Sequence, residues 1–193
     1  MRRFALVFCL FAFTGAACGQ AVASKPQAPT KDKLALAFKE FTELVQQYME
    51  LRKQLNASLP RLGSRESQEH IVAHQQAFAQ KIREARPGAK RGDIFAPEIA
   101  EEFRRLIRRE FRGPKGPNAR KTIRQGSPVK PFRLRVGDTY PETLPVTTMP
   151  PALLLALPQL PEGVAYRIVG RHLVLQDVDA RLIVDFIHDA LPK

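Results

Sequence analysis

The chain has 193 residues, 44% apolar and 26% charged, with 31 basic against 19 acidic side chains and a net charge of +12. That balance excludes wholesale disorder, collagen, a long coiled coil, a disulfide-dense toxin and a polytopic membrane protein, and the length favours about one domain. The positive excess points to an anionic partner but names no activity.

Residues 1–23 read as an export leader. Arg2 and Arg3 precede an apolar stretch from Phe4 to Ala17, and Ala21-Val22-Ala23 supplies small residues ahead of Ser24. Fourteen apolar residues span only about 21 Å as a helix, short of the roughly 30 Å hydrocarbon core. The alternative is cleavage before Cys18 and lipidation there, after Gly15-Ala16-Ala17. The expected location is therefore the periplasm or the exterior, free or anchored through Cys18. Both cysteines, Cys9 and Cys18, lie in this leader. A chain beginning at Ser24 has no disulfide, no cysteine nucleophile and no cysteine-based metal site, so its core must hold it together. No later run is apolar enough to span a membrane; the longest, Ala152 to Leu157, has six residues.

Residues 24–33 are a polar linker with Pro26 and Pro29. From Leu34, apolar residues recur at alternating steps of four and three: Leu34, Phe38, Phe41, Val45, Tyr48 and Leu55, broken once by Arg52. This predicts an amphipathic helix ending near Pro60. Ser64 or Ser67 is placed to cap a second helix, with Ile71, Phe78, Ile82 and Ala85 on its inner face and Pro87-Gly88 as its stop. Pro97 suits the first turn of a third helix, in which Ala100, Phe103, Ile107 and Phe111 share a face. The run Gly113 to Pro117 should end it and open a basic Gly/Pro loop over 113–128. From Gly126 the text turns β-like and proline-rich, with Leu153 to Leu157 either a short strand or one helical turn.

The last third holds three short runs rich in β-branched residues: Val164 to Val169, Leu173 to Gln176 and Leu182 to Ile187. They predict an antiparallel meander, although the third also fits a helical period. The expected architecture is α+β. A helical region over 34–112, with about three amphipathic helices, precedes a small antiparallel β module within 129–193.

Residues 101–130 carry ten basic against three acidic side chains, most of the chain's excess. Arg104, Arg108 and Arg112 are spaced by four, as are Arg105 and Arg109, opposite the apolar face; Lys115, Arg120, Lys121 and Arg124 extend the series. Like charges four apart repel by a few tenths of a kcal/mol, so this pattern is not built for helix stability. One reading is a surface for an anionic envelope component or an acidic protein. The other is a solvated face paired with Glu101, Glu102, Glu110 and the acidic last third. Nucleic acid is not expected as a partner, since no aromatics interleave with the basic residues and the leader directs export.

Catalytic spacings are missing: there is no phosphate loop, dinucleotide fingerprint, nucleophile elbow or His-Glu-x-x-His pair. The chain is expected to be a non-enzymatic binding protein with no cofactor. His70 and His74, four apart on the second helix, make the metal candidate, with Glu66 or Glu69 as the third ligand. The alternative function is thus periplasmic handling of nickel, cobalt or zinc. His172 and His188 read as solvated, and Asn56-Ala57-Ser58 is a formal glycosylation sequon.

The text Gly137-Asp138-Thr139-Tyr140-Pro141, Met149-Pro150-Pro151, Tyr166-Arg167-Ile168-Val169-Gly170-Arg171-His172-Leu173-Val174-Leu175-Gln176-Asp177 and Ile183-Val184-Asp185-Phe186-Ile187 resembles a small C-terminal module of uncharacterised bacterial periplasmic proteins. The periplasmic protein of nickel/cobalt homeostasis carries a similar hairpin. The resemblance covers about 55 residues of strands and turns. It implies a periplasmic location and a β hairpin, and it transfers no catalytic residue. It does not imply metal homeostasis, because His172 is the hairpin's one histidine.

Overall fold

The computed structural model describes residues 31–63, 65–125, 133–141 and 149–192. The leader, both cysteines, most of the 24–33 linker and Gly126 to Phe132 lie outside the described residues.

Helix α1 (Lys31–Ala57) begins three residues ahead of the expected start and buries Ala37, Phe41, Val45 and Tyr48. Helix α2 (Gln68–Ala85) is capped by Ser67, whose hydroxyl accepts the His70 amide at 3.3 Å. Its inner face is Phe78, Ala79 and Ile82. Of the expected inner positions, Ile71 is only partly buried and Ala85, the last helical residue, is exposed. Helix α3 (Pro97–Arg112) starts on its proline and buries every residue of the expected apolar face, together with Ile99, Glu102 and Leu106.

The 113–128 segment departs from expectation. After a single turn the chain forms helix α4 (Gly116–Gln125), so the basic stretch is helical over most of its length. Pro117 is tolerated because the first turn needs no amide from it. Ala119 and Ile123, four apart, are buried against the core. Gly116 makes the reversal possible: a Cβ there would lie 2.0 Å from the Phe111 carbonyl oxygen. Helix α5 (Pro151–Ala156) resolves the Leu153–Leu157 ambiguity as a short helix.

Strands β1 (Val164–Val169), β2 (His172–Asp177) and β3 (Leu182–Ile187) form an antiparallel meander in the order β1-β2-β3, and β3 is not helical. The protein is α+β. Every residue of β3 is buried, as expected of a strand covered on both faces. One face carries the main core, in which Phe41 meets Phe95, Phe103 and Tyr166 at ring distances of 5.2, 5.0 and 6.2 Å. The other face packs Val169, Val174, Ile183 and Phe186 under Tyr140, Leu134 and Val136. The outer edge of β3 is covered by 136–140, through Gly137 N–H to the Ile183 carbonyl (2.8 Å) and Ile183 N–H to the Asp138 carbonyl (3.0 Å). Among the described residues no helix is long and apolar enough to cross a membrane.

The chain has three tyrosines and no tryptophan, which makes the phenols a clean optical probe. Burial, and for Tyr48 also the Asp177 carboxylate, pushes the phenols of Tyr48 and Tyr166 far above their ordinary value. Burial also raises Tyr140. The folded chain thus keeps protons that the unfolded chain releases above about pH 10. The contribution is whole below that pH and falls as pH rises, by about 1.4 kcal/mol per pH unit for each of Tyr48 and Tyr166. The tyrosinate absorbance of Tyr48 and Tyr166 is therefore expected to appear in one cooperative step coincident with alkaline unfolding. A smooth rise near pH 10 with native circular dichroism would contradict the burial.

Candidate functional site: the basic face of α3 and α4

Burial of Phe103, Ile107 and Phe111 fixes the rotation of α3 and turns its arginines outward. They are not equivalent. Arg104 donates from Nε and Nη2 to the His188 carbonyl at 3.3 and 3.1 Å, fastening α3 to the turn after β3. Arg105 pairs with Glu101 and, at 2.9 Å, with Glu102. Glu102 is buried, and its other oxygen has no partner among the described residues, so Arg105 holds a carboxylate that would otherwise lie in the core unpaired. Arg120 donates to the Phe111 carbonyl at 2.9 Å across the α3–α4 turn. These three arginines serve the fold.

The others face water. Arg108, Arg109, Arg112, Lys115 and Lys121 are exposed. Arg109 has a 3.3 Å contact with Glu110; the other four have no ion-pair partner among the described residues. Arg124 lies on α4, its side chain outside the described part. Burial, then the charges of Arg108 and Arg91, holds the Arg104 guanidinium below its ordinary value. Arg105, Arg108, Arg109 and Arg112 rim a groove of about 320 Å³ that is also lined by Leu34, Leu106 and the Glu102 carboxylate held by Arg105. The groove has the lining to take an anionic group beside an apolar one.

The sequence-based metal candidate is not assembled. His70 is exposed, with Nδ1 2.8 Å from Glu66 Oε2. That bond, and the Gly63 amide after it, holds the Glu66 carboxyl below its ordinary value. His74 lines a shallow groove together with Glu66 and His70, but these three are not among the described groups whose ligand atoms lie within 4.8 Å of one another. Among the described residues the set that converges is His172, His188 and Asp189.

A second cleft, of about 290 Å³, lies between the end of α2 and β3. Its two arginines are committed internally. Arg83 donates to the Gly137 carbonyl (2.8 Å) and to Thr139 Oγ1 (3.0 Å). Arg86 lies over the Tyr48 ring, 3.6 Å from Asp93.

Two buried aspartates escaped the sequence reading as functional groups. Asp177 and Asp185 are both fully buried. Asp177 receives Tyr48, Arg52 and the Ala180 amide, each at 2.8 Å. Asp185 receives the amides of Gly92, Ile94 and Phe95. Charged residues within apolar strand text were the available signal; apart from the Ala180 amide, the partners named here lie ninety residues or more away and left none.

Protein-family models, curated proteins and solved structures were compared with this chain, and none matches.

Proposed function

We propose that the protein is an exported, non-enzymatic binding module of the cell envelope that docks an anionic envelope component on the outward face of α3 and α4. The observation that carries this reading is the division of labour among the arginines. The fold consumes Arg104, Arg105 and Arg120, yet leaves Arg108, Arg109 and Arg112 exposed around a groove lined by Leu34, Leu106 and the Arg105-paired Glu102. Charges crowded at the expense of helix stability find their compensation in an external anion. The leader read in residues 1–23 supports an envelope partner over nucleic acid, and an acidic protein is the competing occupant.

The test is co-sedimentation with anionic vesicles and with isolated cell-wall material at roughly 20 and 150 mM salt, between which the Debye length falls from about 20 to about 8 Å. The variant is Arg108→Gln/Arg109→Gln/Arg112→Gln, which spares the arginines that the fold uses. Binding by the parent at both salts is expected, with at least a tenfold loss in the variant. Equal binding by parent and variant would remove this face as the docking surface. Failure to bind either material at low salt would remove the envelope partner.

A further inference from the structure

The antiparallel register of β2 and β3 pairs Leu173 with Ile187. One step outward it sets His172 beside His188, with ring centroids 4.2 Å apart. Asp189 follows with φ of 49°, a left-handed conformation that aspartate adopts more readily than most residues. This turns its carboxylate back onto the pair, 2.9 Å from His188 Nδ1. One ligand-type atom from each of the three residues lies within 4.8 Å of the other two. The geometry points to a solvent-accessible transition-metal site built from His172, His188 and Asp189.

Two imidazoles and a carboxylate leave a fourth position for water, the arrangement of an open zinc-type site. Ligand atoms around a tetrahedral zinc lie about 3.3 Å apart, so small side-chain rotations close the set.

The surroundings select the class of ion. Arg171 Nη1 stands 3.4 Å from Asp189 Oδ1, and Arg104 is bonded to the His188 carbonyl. Their charges oppose every dication alike. Only an ion with strong bonds to imidazole nitrogen overcomes them, which favours Zn²⁺, Ni²⁺ or Cu²⁺ over Mg²⁺ and Ca²⁺, ions that rely on several oxygens. The Asp189 amide donates to His172 Nδ1 at 3.0 Å, which puts the ring proton on Nε2. An ion arriving at Nδ1 displaces that amide, and one arriving at Nε2 requires the ring proton to move to Nδ1, where it breaks the same hydrogen bond; in either case the Asp189 amide reports it.

Calorimetric titration of tag-free protein with Zn²⁺ or Ni²⁺ should show one equivalent bound, with no heat from Mg²⁺. His188→Ala, an exposed position, is expected to weaken binding at least tenfold, and Asp189→Asn severalfold. A His70→Ala/His74→Ala variant should bind as the parent does. His172 is partly buried, so the parent is also followed by ¹H–¹⁵N NMR, in which Zn²⁺ should first shift the Asp189 amide and the two imidazoles. Absence of binding by the parent overturns the site. So does undiminished one-equivalent binding by His188→Ala, or a set of shifts centred on His70 and His74.

Discussion

Asp185→Ala is expected to lower the unfolding free energy by about 4 kcal/mol, close to the whole stability of a marginal domain. The Asp185 carboxylate is fully buried and accepts Gly92 N–H at 3.0 Å, Ile94 N–H at 2.8 Å and Phe95 N–H at 2.7 Å. Gly92 has φ of +94°, which lets the loop fold its amides around one anion. The positive end of the α3 dipole lies just beyond this loop and favours the same charge. Truncation leaves buried amides without an acceptor, each worth about 1–3 kcal/mol, offset in part because a buried charge is also removed. Asp185→Asn keeps the shape, but its amide group presents donors to donors, so a loss of about 2 kcal/mol is expected. Urea unfolding of the three proteins measures this, and hydrogen exchange at Ile94 and Phe95 should accelerate selectively in the asparagine variant. A loss below about 1 kcal/mol for Asp185→Ala would mean that water replaces the carboxylate.

The second large effect concerns Arg52. On one side Asp177 receives its Nε at 2.8 Å, and on the other Nη2 pairs with Asp179. Tyr48 donates to the same Asp177 oxygen at 2.8 Å. Burial acts to lower the Arg52 guanidinium, yet Asp177 and Asp179 outweigh it and hold it above its ordinary value. The Arg52 side chain is 11% exposed and that of Asp177 is 0% exposed, so removing the arginine strands a carboxylate in the core. Arg52→Met should therefore cost about 3–5 kcal/mol. Tyr48→Phe, which deletes one hydrogen bond to the same oxygen, should cost about 1–2 kcal/mol. Arg52→Met/Asp177→Leu should recover part of the loss, because the penalty comes from separating the pair rather than from lacking it. An Arg52→Met effect within 1 kcal/mol, with unchanged cooperativity, would assign the pair to the solvated surface.

Arg52 also shows what the text could and could not reveal. It is the one break in the apolar period of α1, and the period correctly sets its direction, inward. What waits there is Asp177, 125 residues on, which no local spacing encodes. The apolar periods of α1, α2 and α3 and the three β-rich runs were legible because each depends on neighbours within a turn or a pleat. The Gly/Pro text after α3 misled for a local reason: it marks a reversal, but Ala119 and Ile123 resume a helical step at once. The arginine series was legible as charge. Which of its members remain free depended on the Glu102, Phe111 and His188 groups that the packing supplies.

The histidines make the same division most plainly. A spacing of four on α2 singled out His70 and His74, whereas the three convergent ligand groups come from the start of β2 and the turn after β3. By itself the sequence determined an α+β chain with a basic third helix, a three-stranded meander and no cysteine after residue 18. Only the tertiary structure decided which charges are buried, which arginines stay free and which histidines meet. The physical reason is range: periodicity records the face that each residue presents, while the partner it finds there is set by strand register and helix packing between residues far apart in the chain.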